Sequence, residues 1–84
     1  EQLVEDVALT GFDARLARVL LRLADDQGRL SITHDALAAE TASGRAFVSP
    51  RLRELSRLEL VETHRGGLQI LDRPGLIAVS QDQR

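Results

Sequence analysis

Apolar residues recur along this chain at two different periods, and the switches between them mark out its elements. Leu3, Val4, Val7 and Ala8 make a short helical stripe over residues 2–9, which Thr10-Gly11 interrupts. Leu16, Val19, Leu20 and Leu23 fall on one face of a helix expected over 13–25. Asp13 is its expected N-cap, and Arg15, Arg18 and Arg22 lie on the opposite, solvated side. Asp25-Asp26-Gln27-Gly28 is turn chemistry, and Arg29 to Ile32 is long enough for only one small strand, expected to pair with a later hairpin. Thr33 then caps a helix over 33–40 that turns Leu37 and Ala38 inward, with small Ala36 and Ala39 allowing a close helix crossing.

Thr41 to Gly44 reads as a tight turn, and Ser43 as the N-cap of a helix over 44–58. Val48, Leu52, Leu55 and Leu58 are its inward stripe, and Phe47 flanks that stripe as a further core residue. Strands over 60–65 and 68–71 follow, joined by Gly66-Gly67, and Asp72 caps a last helix over 73–79. Pro74 sits in its first turn, where a missing N–H costs nothing, and Leu76, Ile77 and Val79 can fold back on the body. Residues 81–84 are expected to fray. The expected core is Leu16, Leu20, Leu23, Leu37, Val48, Leu52, Leu55, Ile70 and Leu76. Two helices joined by a tight turn and followed by a hairpin describe a mainly α fold with a small antiparallel β wing, a winged helix-turn-helix. That shape offers one helix to a DNA major groove and the hairpin to neighbouring phosphates.

Composition sharpens this picture in one respect and complicates it in another. The chain has 84 residues, 43% hydrophobic and 29% charged, as expected of one small soluble domain. Its net charge is −2 and its pI about 5.6, whereas a stand-alone nucleic-acid binder is usually basic. The charge is unevenly distributed. Residues 1–40 carry four arginines against eight carboxylates, net −4, and residues 41–84 carry seven against five, net +2. The positive excess therefore lies with the second helix of the pair and the wing. Every basic residue is Arg, which suits bidentate contacts to phosphate or guanine, although a Lys-poor composition explains most of that bias.

If Val48, Leu52 and Leu55 face the core, the opposite side of the same helix presents Arg45, Ala46, Ser49, Pro50 and Arg53. Arg45, at the N-terminal end, is the candidate for bidentate pairing with guanine; Ser49 can donate or accept, and Arg53 is better placed for phosphate. His34, Ser43, Gly44 and Arg65 are the candidate phosphate clamps around it. Pro50 removes the N–H that would bond to the Ala46 carbonyl. Either the helix runs from 44 or 45 with a kink near Ala46, the arrangement we favour, or a shorter helix starts with Pro50 in its first position.

From about Asp6 to Ala78 the chain resembles the C-terminal DNA-binding domain of the cyclic-AMP receptor and fumarate–nitrate regulator (Crp/Fnr) superfamily of bacterial transcription factors. Asp13 to Ala24 resembles the family's first domain helix, and Ile32 to Ala39 its I-T-x-x-x-L-A entry helix. Arg45-Ala46-Phe47-Val48-Ser49 with Arg51-Leu52-Arg53-Glu54-Leu55 resembles its S-R-x-x-V-S-R-x-L-R-x-L recognition helix, and Gly67 to Asp72 with Gly75-Leu76 its wing strand and closing segment. The departures are Ala46 for a usual Glu, Pro50 for a usual Arg, Gly44 for Ser or Ala, and Ala42 for the customary Gly of the turn.

The resemblance implies a cytoplasmic regulator acting as a homodimer on double-stranded DNA, with RNA polymerase as a further expected partner. Residues 1–10 would be the end of a dimerisation helix, residues 11–80 the DNA-binding domain and 81–84 a frayed tail. An effector-binding β-barrel would precede Glu1, which in place of Met suggests a piece of a longer protein. No cofactor is expected in this domain, and the effector of the preceding one is unknown.

Rival classes have little to stand on. A winged helix serving as a protein-interaction or dimerisation module is the alternative, supported by Ala46, Pro50 and the net acidity. An enzyme is not indicated: there is no Cys, His34 and His64 lie far apart, and no Ser stands in a G-x-S-x-G context. Gly66-Gly67 is followed by no GK[ST], so it is not a phosphate loop. No apolar run approaches the ~20 residues that span a bilayer, so no membrane role is expected.

Overall fold

The computed structural model describes residues 11–81, so the expected 2–9 helix and residues 82–84 of the tail lie outside the described residues. Within them the order is α1 (Gly11–Leu23), β1 (Arg29–Leu30), α2 (His34–Glu40), α3 (Arg45–Arg57), β2 (Val61–His64), β3 (Gly67–Ile70) and α4 (Arg73–Ser80). The three strands form an antiparallel sheet in the order β1-β3-β2, with Leu30 opposite Leu68 and Thr63 opposite Leu68 on its other side. This is the winged helix-turn-helix architecture, and the short strand at 29–30 pairs with the wing as its sequence suggested.

α1 is already helical at Gly11, ahead of the start the pattern predicts, and Asp13 is not its cap. Gly11, read as a stop, is itself helical. The Asp13 side chain is 1% exposed and turned to α3, where Arg51 Nε and a terminal Arg51 nitrogen donate to its two carboxylate oxygens at 2.8 and 2.7 Å. This bidentate pair holds the Arg51 guanidinium more firmly protonated than usual, chiefly through the hydrogen bonds to Asp13. At the other end α1 stops at Leu23, short of the expected 25. The Asp25 carboxylate instead accepts from the backbone N–H of Gln27 and of Arg29, both at 2.9 Å, which stabilises a turn over further helix. Those two backbone donors, Arg29's first, hold the Asp25 pKa below its ordinary value.

Both helices of the pair end in the same device. The residue after the Thr41 C-cap, Ala42, has φ +56°, and the residue after the Leu58 C-cap, Glu59, has φ +63°. Ala42 N–H donates to Ala39 O and Ser43 N–H to Ala38 O; Glu59 N–H donates to Ser56 O and Leu60 N–H to Leu55 O. These are Schellman caps with a left-handed residue that is not glycine in either case. Ser43 is thereby committed to closing α2 and is not the N-cap of α3. That place is taken by Gly44, which supplies no side-chain hydrogen bond. Thr33 and Asp72 do cap α2 and α4, accepting from Ala36 N–H and Gly75 N–H.

The core joins Leu16 and Leu20 of α1, Leu37 of α2, Val48, Leu52 and Leu55 of α3, and Leu76 of α4, each no more than 1% exposed. Val61 and Leu68 from the sheet close it, with Leu30, Ile70, Phe12 and Val79 at its edges. Of the expected core only Leu23 is merely half-buried. Ile77 is exposed rather than folded back, and Phe47 is 54% exposed, resting edge-on against Phe12 rather than entering the core. The exposed arginines of α1 are less solvated than their stripe suggests. Arg18 donates to the Ser80 carbonyl at the end of α4, and Arg22 pairs with Glu40 of α2.

The wing turn also sits one residue earlier than expected. His64 faces Gly67 across the hairpin, so Arg65 and Gly66 form the turn and Gly67 belongs to β3. Gly66 has φ +80°, a conformation that favours glycine. Gly67 is required for a different reason, because a Cβ there would collide with the Leu30 carbonyl oxygen of β1.

Two stability measurements test these assignments. Arg51→Met is expected to cost about 3 kcal/mol in urea unfolding, since it strips the cation from a buried carboxylate, whereas Asp13→Leu combined with Arg51→Met recovers most of that loss. Equal small losses for the single and double variants would show that the pair does not anchor the helices. Ala42→Gly is expected to stabilise: relief of a left-handed alanine gains ~1–2 kcal/mol and the freer unfolded chain returns ~0.4–1. A rise in Tm of a few degrees is the predicted result, and a fall would contradict the assigned cap.

Candidate nucleic-acid interface

The exposed side of α3 is set by what its other sides are doing. Val48, Leu52 and Leu55 are buried in the core, and Phe47 and Arg51 lean on α1 through Phe12 and Asp13. Arg57 is paired with Glu54 within the helix, and that guanidinium holds the Glu54 carboxyl below its ordinary range. Arg45, Ala46, Pro50 and Arg53 remain exposed, with Ser49 half-buried beside them. Pro50 lies inside one helix, Arg45–Arg57, which excludes the shorter helix beginning at Pro50.

Two shallow concavities gather most of the candidate residues. One, of about 360 Å³, runs between the start of α2, the first residue of α3 and the wing, and is lined by Ile32, Thr33, His34, Asp35, Arg45 and the hairpin tip from His64 to Gly67. The other, of about 350 Å³, lies along α3 and holds His34, Arg45, Ser49, Arg53, Ser56 and Thr63. Arg45, His34, Ser49, Arg53 and Arg65 are thus brought onto one surface made by three separate elements. Ser43 and Gly44 line neither concavity: the Ser43 hydroxyl is 2.9 Å from that of buried Thr41, inside the turn. Ala46 and Pro50 lie further out on α3, exposed to solvent.

Within this surface His34 and Ser49 form a unit. His34 Nδ1 lies 2.8 Å from Ser49 Oγ, linking the first residue of α2 to the middle of α3. Which atom donates depends on the imidazole tautomer, and the serine's remaining hydrogen-bonding capacity is complementary to that choice. Among the described residues neither Arg53 nor Arg65 forms an ion pair, while Arg45 Nε is 3.8 Å from Asp35 Oδ1 with both side chains well exposed. Sequence reasoning missed Asp35, His64, Ser56 and Thr63. The first of these carried a visible signal, since an acid in the first turn of α2 lies beside whatever the helix start binds. The others are visible only once the strand register and helix phase are known.

Among the described residues no group of three or more His, Cys, Asp or Glu side chains could hold a metal ion, and no helix is long and apolar enough to cross a membrane.

Comparison with known proteins gives this surface a context. Residues 14–79 match the model of the Crp-like helix-turn-helix domain. The fold superposes on a transcriptional regulator of the CRP/FNR family from Thermus thermophilus with a TM-score of 0.79 at 31% identity, covering 86% of this chain and 41% of that one. A second CRP-family regulator of the same organism gives 0.76 at 33% identity, covering 84% and 40%. The catabolite activator protein of Thermus thermophilus shares the fold, with a TM-score of 0.70 at 24% identity over 83% of this chain and 32% of its own. This chain therefore spans about two fifths of the length of the first two regulators. No curated protein matches it.

The ion pair at the mouth of the surface generates one prediction. Asp35→Asn removes a carboxylate from beside Arg45, so duplex DNA should bind up to fivefold more tightly at low salt, the factor for an exposed pair worth ~0.2–1 kcal/mol. The same change should cost α2 ~0.3–1 kcal/mol, because an acid in the first turn complements the helix dipole. Fluorescence anisotropy and thermal melting measure the two effects. Weaker DNA binding by Asp35→Asn would mean that the carboxylate orients Arg45 rather than competing for it.

Proposed function

This chain belongs to the Crp-like helix-turn-helix domain family and is a DNA-binding domain of a transcription regulator; on that premise we propose that it reads duplex DNA by laying α3 in the major groove, N-terminal end first. The observation that carries this reading is the convergence of Arg45, Ser49 and Arg53 of α3 with His34 of α2 and Arg65 of the wing on one surface. Arg45 is the first residue of α3 and projects where a recognition helix reaches deepest, so it supplies the direct base contact, bidentate to guanine O6 and N7. Arg53, a little over two turns on, and Arg65 at the hairpin tip meet phosphates on either side of that contact. Ser49 adds a weakly specifying contact whose geometry His34 holds.

The intact regulator works as a homodimer on a near-palindromic site, under the control of an effector domain. RNA polymerase is the further partner such a regulator would engage from a cytoplasmic site. Because α3 carries Ala46 and Pro50 outward, its preferred sequence differs from one read by a helix with Glu and Arg at those two positions.

The test is anisotropy of the 84-residue chain on selected and scrambled duplexes over a salt series. Arg45→Ala should cost ~1–3 kcal/mol and relax discrimination at one base pair per half-site. Arg65→Ala should weaken all sequences about equally and lower the salt slope by about one. Pro50→Arg adds a cation and restores the N–H donor to Ala46 O, and should strengthen binding. Unchanged affinity and preference for Arg45→Ala would overturn this docking. Absence of salt-dependent binding to any duplex would leave the surface as a protein-interaction site.

A further inference from the structure

The outward side of α3 is not uniformly polar. Ala46, Phe47 and Pro50, at i, i+1 and i+4, are all exposed and bring no hydrogen-bonding side chain between them. Phe47 leaves 54% of its surface uncovered, and its ring is held by an edge-on contact with Phe12, centroids 4.6 Å apart. The Arg15 guanidinium lies 5.7 Å from the centre of the Phe12 ring. The aromatic is therefore seated on α1 rather than loose. This apolar ridge adjoins Arg45 directly along the helix and is continuous with the surface formed by Arg45, Ser49 and Arg53. Whatever Arg45 touches, Ala46 must lie against a neighbouring part of it.

A major groove offers one apolar feature on its base edges, the 5-methyl group of thymine; every other exposed atom there is a hydrogen-bond donor or acceptor or a plain ring carbon. Polar edges pressed against Ala46, Phe47 and Pro50 would lose water without gaining a partner, which costs binding energy. A thymine methyl in the same place gains burial instead. Resting on the docking proposed above, we infer that Ala46, Phe47 and Pro50 form a methyl-reading site. The site selects thymine, or another 5-methylpyrimidine, beside the guanine paired with Arg45. Selectivity by this route involves no charge, so it changes affinity without changing the dependence on salt.

Removing the methyl group from the DNA rather than touching the protein provides the test, so protein folding does not enter. Duplexes selected from a random pool by the 84-residue chain should carry thymine next to the Arg45-read guanine in each half-site. Replacing that thymine by deoxyuridine should weaken binding roughly three- to fivefold per methyl group, the factor expected for burying one such group, with the salt slope unaltered. Replacing thymine by cytosine and then by 5-methylcytosine should lose affinity and regain part of it. In Phe47→Ser the thymine–deoxyuridine difference should shrink while the salt slope stays. Equal binding of thymine and deoxyuridine duplexes, with salt-dependent binding retained, would overturn the methyl-reading site and leave the docking intact. A pool that yields no salt-dependent binding would overturn both.

Discussion

The ion pair between buried Asp13 and partly exposed Arg51 sets the frame for everything presented to DNA. It is the point at which α1, whose Leu16 and Leu20 enter the core, grips the flank of α3. A hydrophobic stripe alone leaves a helix some freedom to roll, because Val48, Leu52 and Leu55 would tolerate a modest rotation about the axis. A two-pronged guanidinium–carboxylate contact does not, since both hydrogen bonds demand one orientation of the fork. With Arg51 fixed on one flank and the Ser49–His34 contact on the other, the rotation of α3 is determined from both sides. The outward direction of Arg45, Ala46, Pro50 and Arg53 follows from that. Burying Asp13 at 1% exposure is expensive in solvation, so the pair is better understood as buying orientation than net stability.

The same pairing resolves the mismatch between an acidic chain and a DNA-binding role. Net charge sums over groups that the fold has already set against each other. Asp13 meets Arg51, Glu40 meets Arg22 and Glu54 meets Arg57, so three of the carboxylates and three of the arginines project little field beyond their own neighbourhoods. Asp25 is folded into its turn by two backbone donors. Arg45, Arg53 and Arg65 are left on the proposed interface, opposed there mainly by Asp35. At a Debye length of ~8 Å in physiological salt, the local set governs what a phosphate experiences, and the remote acids of the chain hardly count.

How much of this was legible in the sequence depended on whether a feature is local. Helix and strand periods and the Thr33 and Asp72 caps could be read because each depends on neighbours within a few residues. The pairing of the 29–30 strand with the wing, Arg29 opposite Gln69 and Leu30 opposite Leu68, was legible only because so short a strand needs a partner and the hairpin offers an edge. Of the interface candidates, Arg45, Ser49 and Arg53 followed from helix phase once the core stripe was recognised, and His34 and Arg65 from the start of α2 and the tip of the wing. What failed was competition between partners distant in the chain. Asp13 is a good local cap, but Arg51, 38 residues away, takes its carboxylate. Ser43 is a good local cap as well, but the Schellman end of α2 uses its backbone and Thr41 its hydroxyl. Phe47 has the composition of a core residue, yet it lies off the buried Val48–Leu52–Leu55 stripe, on the flank it shares with Arg51, and its ring stays largely exposed against Phe12. The hairpin slipped by one residue because two adjacent glycines look alike in sequence, whereas only one has a positive φ and only the other faces a carbonyl.

The positions where this chain departs from its family's recognition pattern are those on which the fold places least demand. Ala46 and Pro50 are exposed and are not members of the buried hydrophobic core. Substitution there changes what the helix can say to a base pair without disturbing Val48, Leu52, Leu55 or the Arg51 clamp. Ala42 tells the opposite story. It holds a backbone conformation that glycine would adopt without strain, so the fold tolerates a residue that costs it energy rather than altering the turn. A rigid α2–α3 pair with a freely variable outward stripe can therefore keep one docking geometry while its base preference drifts. Fold and specificity are then separable properties of the same helix. On the proposed docking, alanine and proline in place of two polar readers would shift the discriminating chemistry from hydrogen bonding towards shape and apolar contact, with Arg45 as the strong polar anchor.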